Sequence, residues 1–274
     1  MIDLHLHTDA SDGRCSPADL VARAARVGLS VISVVDHDTF AAQPEVASEA
    51  ARAGLRTVSG IEITAVWHGL DVHVLGYYLD AARPDLAQFL ERQRADRVRR
   101  VHAMIERLAA LGVHLDFEQV VSPAGKPAPH AIGRPQVARA LVAGGYVAGM
   151  PDAFDRYLAE GRQAFVPRIG PTPAEVSRLV VAAGGVASLA HPGLLGHDEV
   201  IPGLAAAGMQ AIEVYHPDHS PEAVAHYLAV ATRHRLAITG GSDYHAEEGR
   251  EPVLGRVTLP AADFERLEAL ARPA

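Results

Sequence analysis

The sequence predicts an α/β fold in which seven strands, each covered by helices, close into a barrel. Three observations lead there. Apolar strand patterns alternate with amphipathic helical patterns at both ends of the chain. Polar residues gather at the C-terminal ends of most strands. One long helical stretch interrupts the rhythm in the middle. Repeated βα units imply a parallel sheet with helices on its faces. In a closed barrel of this kind the functional groups collect at the strand C-termini. Polar ends on the first five strands and on the seventh favour closure, because an open doubly wound sheet keeps its edges apart.

The elements follow in order. Ile2, Leu4 and Leu6 point one way and Asp3, His5 and His7 the other, the period of a strand. Ser16-Pro17-Ala18-Asp19 opens a helix: Ser16 is an N-cap, Pro17 suits the first turn, and Gly28 ends the element. Strand 31–35 runs into Asp36-His37-Asp38, where Asp36 or Asp38 could cap the next helix, Glu45 to Ala53. Strand 56–59 leads to Gly60-Ile61-Glu62, and strand 71–78 carries His73. Late in the chain come helix 173–183, strand 186–190 before His191-Pro192-Gly193, helix 198–207 and strand 211–215. Helix 221–234 and strand 236–240 complete the pattern, the strand ending at Gly241-Ser242-Asp243-Tyr244-His245.

Residues 85–170 break this rhythm and predict a helical insertion between barrel parts 1–84 and 171–274. Within it, 85–111 is one long helix with Leu90, Val101, Met104 and Leu108 on a seam, and Arg94 and Arg97 fall on that same seam. Either these arginines snorkel, or the seam leaves the core there and faces the site. The proline-rich stretch 122–135 reads as loop, followed by short helices to about residue 160.

Composition narrows the function. The chain has 274 residues, 49% of them hydrophobic, enough for a full core. A single cysteine, Cys15, excludes a disulfide framework and, with no leader-like start and no long apolar run, predicts a cytoplasmic location. A net charge of −8 argues against a dedicated duplex-DNA binder, while a small phosphorylated ligand held by local cations stays compatible. Lys126 is the sole lysine, so arginine, the better phosphate fork, supplies the remaining cations.

The strongest chemical signal is a set of nine residues: His5, His7, Asp12, His37, Glu62, His73, His191, Asp243 and His245. His5 and His7 share a strand face, as two ligands to one ion require. Asp243 and His245 repeat that spacing. Mixed imidazole and carboxylate ligands suit manganese, zinc or iron. Nine groups exceed the needs of one ion, and two or three divalent ions can share them if Glu62 bridges.

These motifs resemble the polymerase and histidinol phosphatase (PHP) superfamily: His5-x-His7, Asp36-His37, Gly60-Ile61-Glu62, the isolated His73, His191-Pro192 and Asp243-x-His245. The resemblance implies a distorted seven-stranded barrel. It places His5, His7, Glu62 and Asp243 on a first ion, Glu62, His73 and His191 on a second, and Asp12, His37 and His245 on a third. Some members have His where this chain has Asp12. The insertion makes the chain similar to members that remove the 3′-phosphate of nucleoside 3′,5′-bisphosphates, such as adenosine 3′,5′-bisphosphate, and that trim short 5′-phosphorylated RNA. The resemblance implies phosphate contacts from the insertion, at Arg97, Arg100, Arg134 in Gly133-Arg134-Pro135, and Arg162. Many relatives follow that motif with His, and here Gln136 stands instead.

The expected chemistry is metal-assisted hydrolysis, with a water activated by the ions attacking phosphorus and Asp243 and His191 at the reacting centre. The leaving alkoxide needs a proton from His191, from His216 (a candidate substrate contact at the end of the sixth strand) or from water. The alternatives are a phosphatase of another small phosphomonoester such as histidinol phosphate, a C–N hydrolase, and a non-catalytic metal-binding accessory module.

Overall fold

The computed structural model describes residues 1–122, 129–246 and 254–271. Lys126 and the loop reading at 123–128 lie outside the described residues. The strands are β1 (Ile2–Leu6), β2 (Val31–Val34), β3 (Arg56–Thr57), β4 (Gly60–Trp67), β5 (Leu70–Tyr77), β6 (Val186–Leu189), β7 (Ala211–Tyr215) and β8 (Ala237–Gly240). The fold is α/β, but the sheets are open: β1-β2-β3 form one, and β4-β5-β6-β7-β8 form the other.

The expectation of seven parallel strands is corrected at β4 and β5. Both pair antiparallel, β4 with β5 and β5 with β6. Residues 63–67, which the sequence reading left without structure, extend β4 into a hairpin closed by His68 and Gly69, with φ of 50° and 88°. Two central residues with positive φ match the right-handed twist of a hairpin. His68 stands exposed at the tip, as a turn residue should.

Isolated pairs join the two sheets at two places. Leu6 bridges Tyr244 beyond β8, and His37, just beyond β2, bridges Glu62 in β4. Functional residues sit at both seams.

The helices form where the caps predict. Pro17–Arg26 starts at Ser16, whose side chain accepts from the Asp19 amide at 3.2 Å, and Gln43–Ala53 ends on Gly54 at φ 72°. Neither Asp36 nor Asp38 caps the second helix: its N-cap is Ala42, without a side-chain bond. Both carboxylates are turned to the site instead. The long helix spans Pro84–Ala110 and buries Leu90, Gln93, Arg97, Arg100, Val101, Met104 and Leu108. Among the described residues no helix is long and apolar enough to cross a membrane.

Apolar packing follows the elements. One cluster lies between β4–β8 and helices 84–110, 173–182 and 221–234; a second joins β1 and β2 to helices 17–26 and 43–53. A separate cluster draws only on residues 101–166, including Met104, Leu108, Leu141 and Leu158. Leu108 is fully buried there. Leu108→Ala should cost about 2–5 kcal/mol through lost transfer energy and a cavity. Urea unfolding followed by circular dichroism checks this; a loss below about 1 kcal/mol would show that the cluster collapses around the gap.

Candidate metal centre

Glu62 stands at the centre of the site. It is 1% exposed, and five imidazoles approach its carboxylate: His73 Nδ1 at 2.7 Å, His191 Nε2 at 3.2 Å, His7 Nε2 and His37 Nδ1 at 3.3 Å, and His5 Nε2 at 3.4 Å. These rings come from β1, the end of β2, β5 and the end of β6. Asp243 Oδ1 lies 3.3 Å from both His5 Nε2 and His7 Nε2. Asp12 Oδ1 lies 3.1 Å from His245 Nε2, and Asp12 Oδ2 3.6 Å from His37 Nε2.

The nine residues named from the sequence are therefore all brought together. Four groups have ligand atoms within 4.8 Å of one another: His7, Asp12, His37 and His245; His5, His191 and Asp243; His5, His7 and Glu62; His37, Glu62 and His73. The chemistry of these atoms fits cations. His5 Nε2, both ring nitrogens of His7, His37 Nδ1 and His73 Nδ1 are buried without a hydrogen-bond partner. Buried polar nitrogens without partners are costly, and converging lone pairs beside carboxylates are what a divalent ion satisfies.

The electrostatics follow from that crowding. Burial alone would raise the carboxyl groups of Glu62, Asp12 and Asp243, but the surrounding histidines hold all three well below the usual range. Burial would lower His7, yet the carboxylates of Asp243 and Glu62, each 3.3 Å from its Nε2, raise it to about 10. His37 goes the other way, to about 3, because burial outweighs the attraction of Glu62 and Asp12.

The loop carrying Asp12 is fixed by Asp36, which accepts from the Thr8 amide (2.8 Å), the Thr8 hydroxyl (2.6 Å) and the Ser11 hydroxyl (2.7 Å). A Cβ at Gly13 would lie 2.5 Å from the His7 carbonyl oxygen, so the turn needs glycine. Gln136 donates to the Ser11 carbonyl at 2.8 Å and accepts from the Gly133 amide at 2.8 Å, so it ties helix Arg134–Ala143 to the same loop.

A cavity of about 260 Å³ opens on the cluster. Asp12, His37, Glu62, His73, His191, Asp243 and His245 line it together with Arg97, Arg100, Arg134 and Arg168. Asp71 Oδ2 accepts from Arg134 at 3.1 Å, and Arg100 and Arg168 lie 3.9 and 3.6 Å from its carboxylate. Arg97 bonds Asp38 Oδ2 at 2.6 Å and Thr64 Oγ1 at 2.9 Å. Burial and the neighbouring Arg97 lower Arg168 to about 9, the mark of crowded cations. Its Nε and one terminal nitrogen are buried without a hydrogen-bond partner.

Two expected substrate contacts lie elsewhere. Arg162 is exposed and absent from the cavity wall. His216 is buried behind it: its Nδ1 accepts from the Asp218 amide at 3.2 Å, which leaves Nε2–H facing Asp243 Oδ2 at 3.4 Å. Sequence reasoning missed Asp71, Arg168 and Glu213. Asp71 shares a strand face with His73, and Glu213 is a charged residue in an apolar strand; both signals were present. Arg168, in an irregular segment, has no periodicity to expose it.

Comparison with known proteins shows the family. A family model described as the PHP domain matches residues 3–117. The chain is 34% identical to a 3′,5′-nucleoside bisphosphate phosphatase of Chromobacterium violaceum, over 91% of this chain and 90% of that protein. It is 33% identical to the 5′-3′ exoribonuclease Rnm of Escherichia coli, over 89% and 84%. It is 32% identical to a phosphoribosyl 1,2-cyclic phosphate 1,2-diphosphodiesterase of Eggerthella lenta, over 92% and 97%. A structure from Bifidobacterium adolescentis, classed as a metal-dependent phosphoesterase, superposes with a TM-score of 0.90 at 32% identity, covering 99% of this chain and 96% of that one. One from C. violaceum, described as an amidohydrolase with bound sulfate and no metal, gives 0.88 at 33% identity, over 98% and 96%. Fold, cluster and relatives define a metal-dependent phosphoesterase, a hydrolase. The chain belongs to the PHP family.

The raised His7 sets a proton balance. In the metal-free protein His7 is an imidazolium at pH 7.5, since its pKa lies near 10, and a metal ligand must be the neutral ring. Manganese binding at pH 7.5 should therefore release protons, and affinity should rise from pH 7 to 8. Titration calorimetry in two buffers of different ionisation enthalpy reads the proton count; identical heats in both would contradict the arrangement.

Proposed function

We propose that this chain removes the 3′-phosphate of nucleoside 3′,5′-bisphosphates, such as adenosine 3′,5′-bisphosphate, and acts on short 5′-phosphorylated RNA. The observation that carries the reading is the shared cavity, lined both by the histidine and carboxylate cluster and by Arg97, Arg100, Arg134 and Arg168. A substrate with one phosphate fits a metal cluster alone. Four arginines in the same cavity as that cluster suit a substrate with a second phosphate.

The cluster would hold two or three divalent ions, of manganese, zinc or iron. His5, His7, Glu62 and Asp243 would form one site, Glu62, His73 and His191 a second, and Asp12, His37 and His245 a third. When bound, such ions supply Lewis acidity toward phosphoryl oxygens and lower the pKa of a water. The protein's own residues do the rest. His191 and Asp243 border the cavity and would lie beside the reacting phosphate. Arg100 and Arg134, held in place by Asp71 and the Val166 carbonyl, keep donors for a distal phosphate. Arg97 is held by Asp38 and braces the wall, and Arg168 adds positive charge behind it. His216 and Arg162 are given no substrate contact in this scheme.

The same cavity supports one other reading, a phosphorylated ribose with a cyclic phosphate, since that substrate also carries two phosphoryl groups on one sugar. Residues 85–170 are proposed as a helical insertion domain contributing substrate contacts, between barrel parts 1–84 and 171–274. Support comes from the apolar cluster confined to 101–166. The bridges at both seams support reading the two sheets as a distorted barrel.

A hydrolysis panel, read by inorganic phosphate release and by chromatography of the nucleotide products, tests the substrate: adenosine 3′,5′-bisphosphate, a 5′-phosphorylated dinucleotide, phosphoribosyl cyclic phosphate, AMP and histidinol phosphate. The bisphosphate should lead in kcat/KM. Arg134→Ala should raise its KM about 10–100-fold, on the order of one lost charge-assisted contact to phosphate, with less effect on AMP. Faster turnover of histidinol phosphate, or an equal effect of the variant on both nucleotides, would contradict the assignment.

A further inference from the structure

β7 contributes none of the nine residues, yet it touches two of them, and the loop after it touches a third. Along the strand Ile212 and Val214 face the apolar cluster, and Glu213 points the other way, fully buried. Its Oε1 accepts from His5 Nδ1 at 2.9 Å, and its Oε2 accepts from the His191 amide at 2.8 Å. The loop after β7 adds His219 and His216. His219 donates from Nδ1 to the Val214 carbonyl at 2.8 Å and accepts from the Gly193 amide at 3.1 Å. His216 faces Asp243.

We propose that Glu213 is a positioning residue for the metal cluster, ordering His5 and the His191 turn with a single carboxylate. Two consequences follow from donor and acceptor chemistry alone. An ionised carboxylate only accepts, so His5 Nδ1 carries its proton and Nε2 keeps its lone pair. That Nε2 points between Glu62 Oε2 and Asp243 Oδ1, with no hydrogen bond of its own. The second oxygen secures His191, which has a φ of 26° where side-chain-bearing residues are rare. With the His191 amide held by Glu213 and the Gly193 amide by His219, the turn presents its imidazole to Glu62. One side chain thus sets ligands from β1 and from the end of β6 at once.

Glutamine at this position differs by one atom and cannot do both tasks. Both partners are donors, while an amide offers one acceptor oxygen and one NH₂. If the NH₂ faces His5, the ring must move its proton to Nε2 and loses the ligand lone pair. If it faces His191, the backbone N–H loses its partner.

The inference rests on the reading that the nine-residue cluster holds divalent ions, and the test separates the two. Wild type, Glu213→Gln and Thr239→Val are stripped with chelator and titrated with manganese, with bound metal measured by mass spectrometry after equilibrium dialysis. Thr239 pairs with Glu213 across β7 and β8 and bonds Ser188, so its variant controls for loss of a buried hydrogen bond. Glu213→Gln should weaken manganese binding about 10–100-fold, the usual effect of removing an outer partner of a ligating histidine. Thr239→Val should bind as wild type does. Equal affinity in wild type and Glu213→Gln overturns the proposal alone; no manganese bound to wild type overturns the cluster reading and the proposal with it. Should Glu213→Gln fail to fold, the histidine nitrogen spectrum of zinc-loaded wild type decides. His5 must be protonated at Nδ1 and coordinated through Nε2, and coordination through Nδ1 overturns the proposal.

Discussion

The burial of one carboxylate, Glu62, governs this structure. Desolvating a lone carboxylate costs several kcal/mol, and this one is covered by protein with five imidazoles around it. Those rings arrive from strands on both sheets, so the site can exist only if the sheets meet. They do so at that place: the bridge between His37 and Glu62 is itself one of the seams. The other seam, Leu6 with Tyr244, lies between the His5/His7 pair and the Asp243/His245 pair. Fold closure and ligand assembly are the same set of contacts, seen once as backbone and once as side chain.

Around that centre stands a layer of buried acids that reach no ion. Asp36 holds the loop of Asp12, and Glu213 holds His5 and His191. Asp38 accepts from Arg97 and from the Thr64 amide, linking the long helix to the strand end next to His37. The buried Arg97–Asp38 pair explains why an arginine occupies an apolar seam: the helix passes the mouth of the cavity, and the seam there faces polar strand ends. Asp71 plays the corresponding part for Arg100, Arg134 and Arg168, collecting cations that would otherwise repel one another. Fixed acids thus position both the histidines and the arginines that line the cavity.

Much of this was legible in the sequence, because strand period and chemistry agreed. His5 and His7 alternate with Leu4 and Leu6, and caps such as Ser16 and Gly54 mark real helix ends. The nine candidate ligands stood out as polar groups on strand faces, at strand ends and in the loops that follow them. The turn at Trp67-His68-Gly69 was legible too, but the length of β4 and its antiparallel pairing with β5 were not, since the strand runs past Glu62 with few polar breaks. The sheet order was hidden for the same reason: a hairpin reverses direction where βα units predict a crossover. Arg162 and His216 show the limit of reading position without packing. One is exposed to solvent and the other committed to Asp243, and neither fact leaves a trace in residue type. Arg168 was missed because an irregular segment has no period from which to infer direction.

The claim on which all of this depends is that the histidines and acids around Glu62 are ligands and not a network of ion pairs. Anomalous diffraction from crystals grown with manganese tests it directly. The account predicts anomalous peaks beside Glu62, within bonding distance of His5 Nε2, His7 Nε2 and Asp243 on one side and of His73 and His191 on the other. A metal-saturated crystal with no peak within the cluster, its histidines still paired with Glu62 and Asp243, would contradict it.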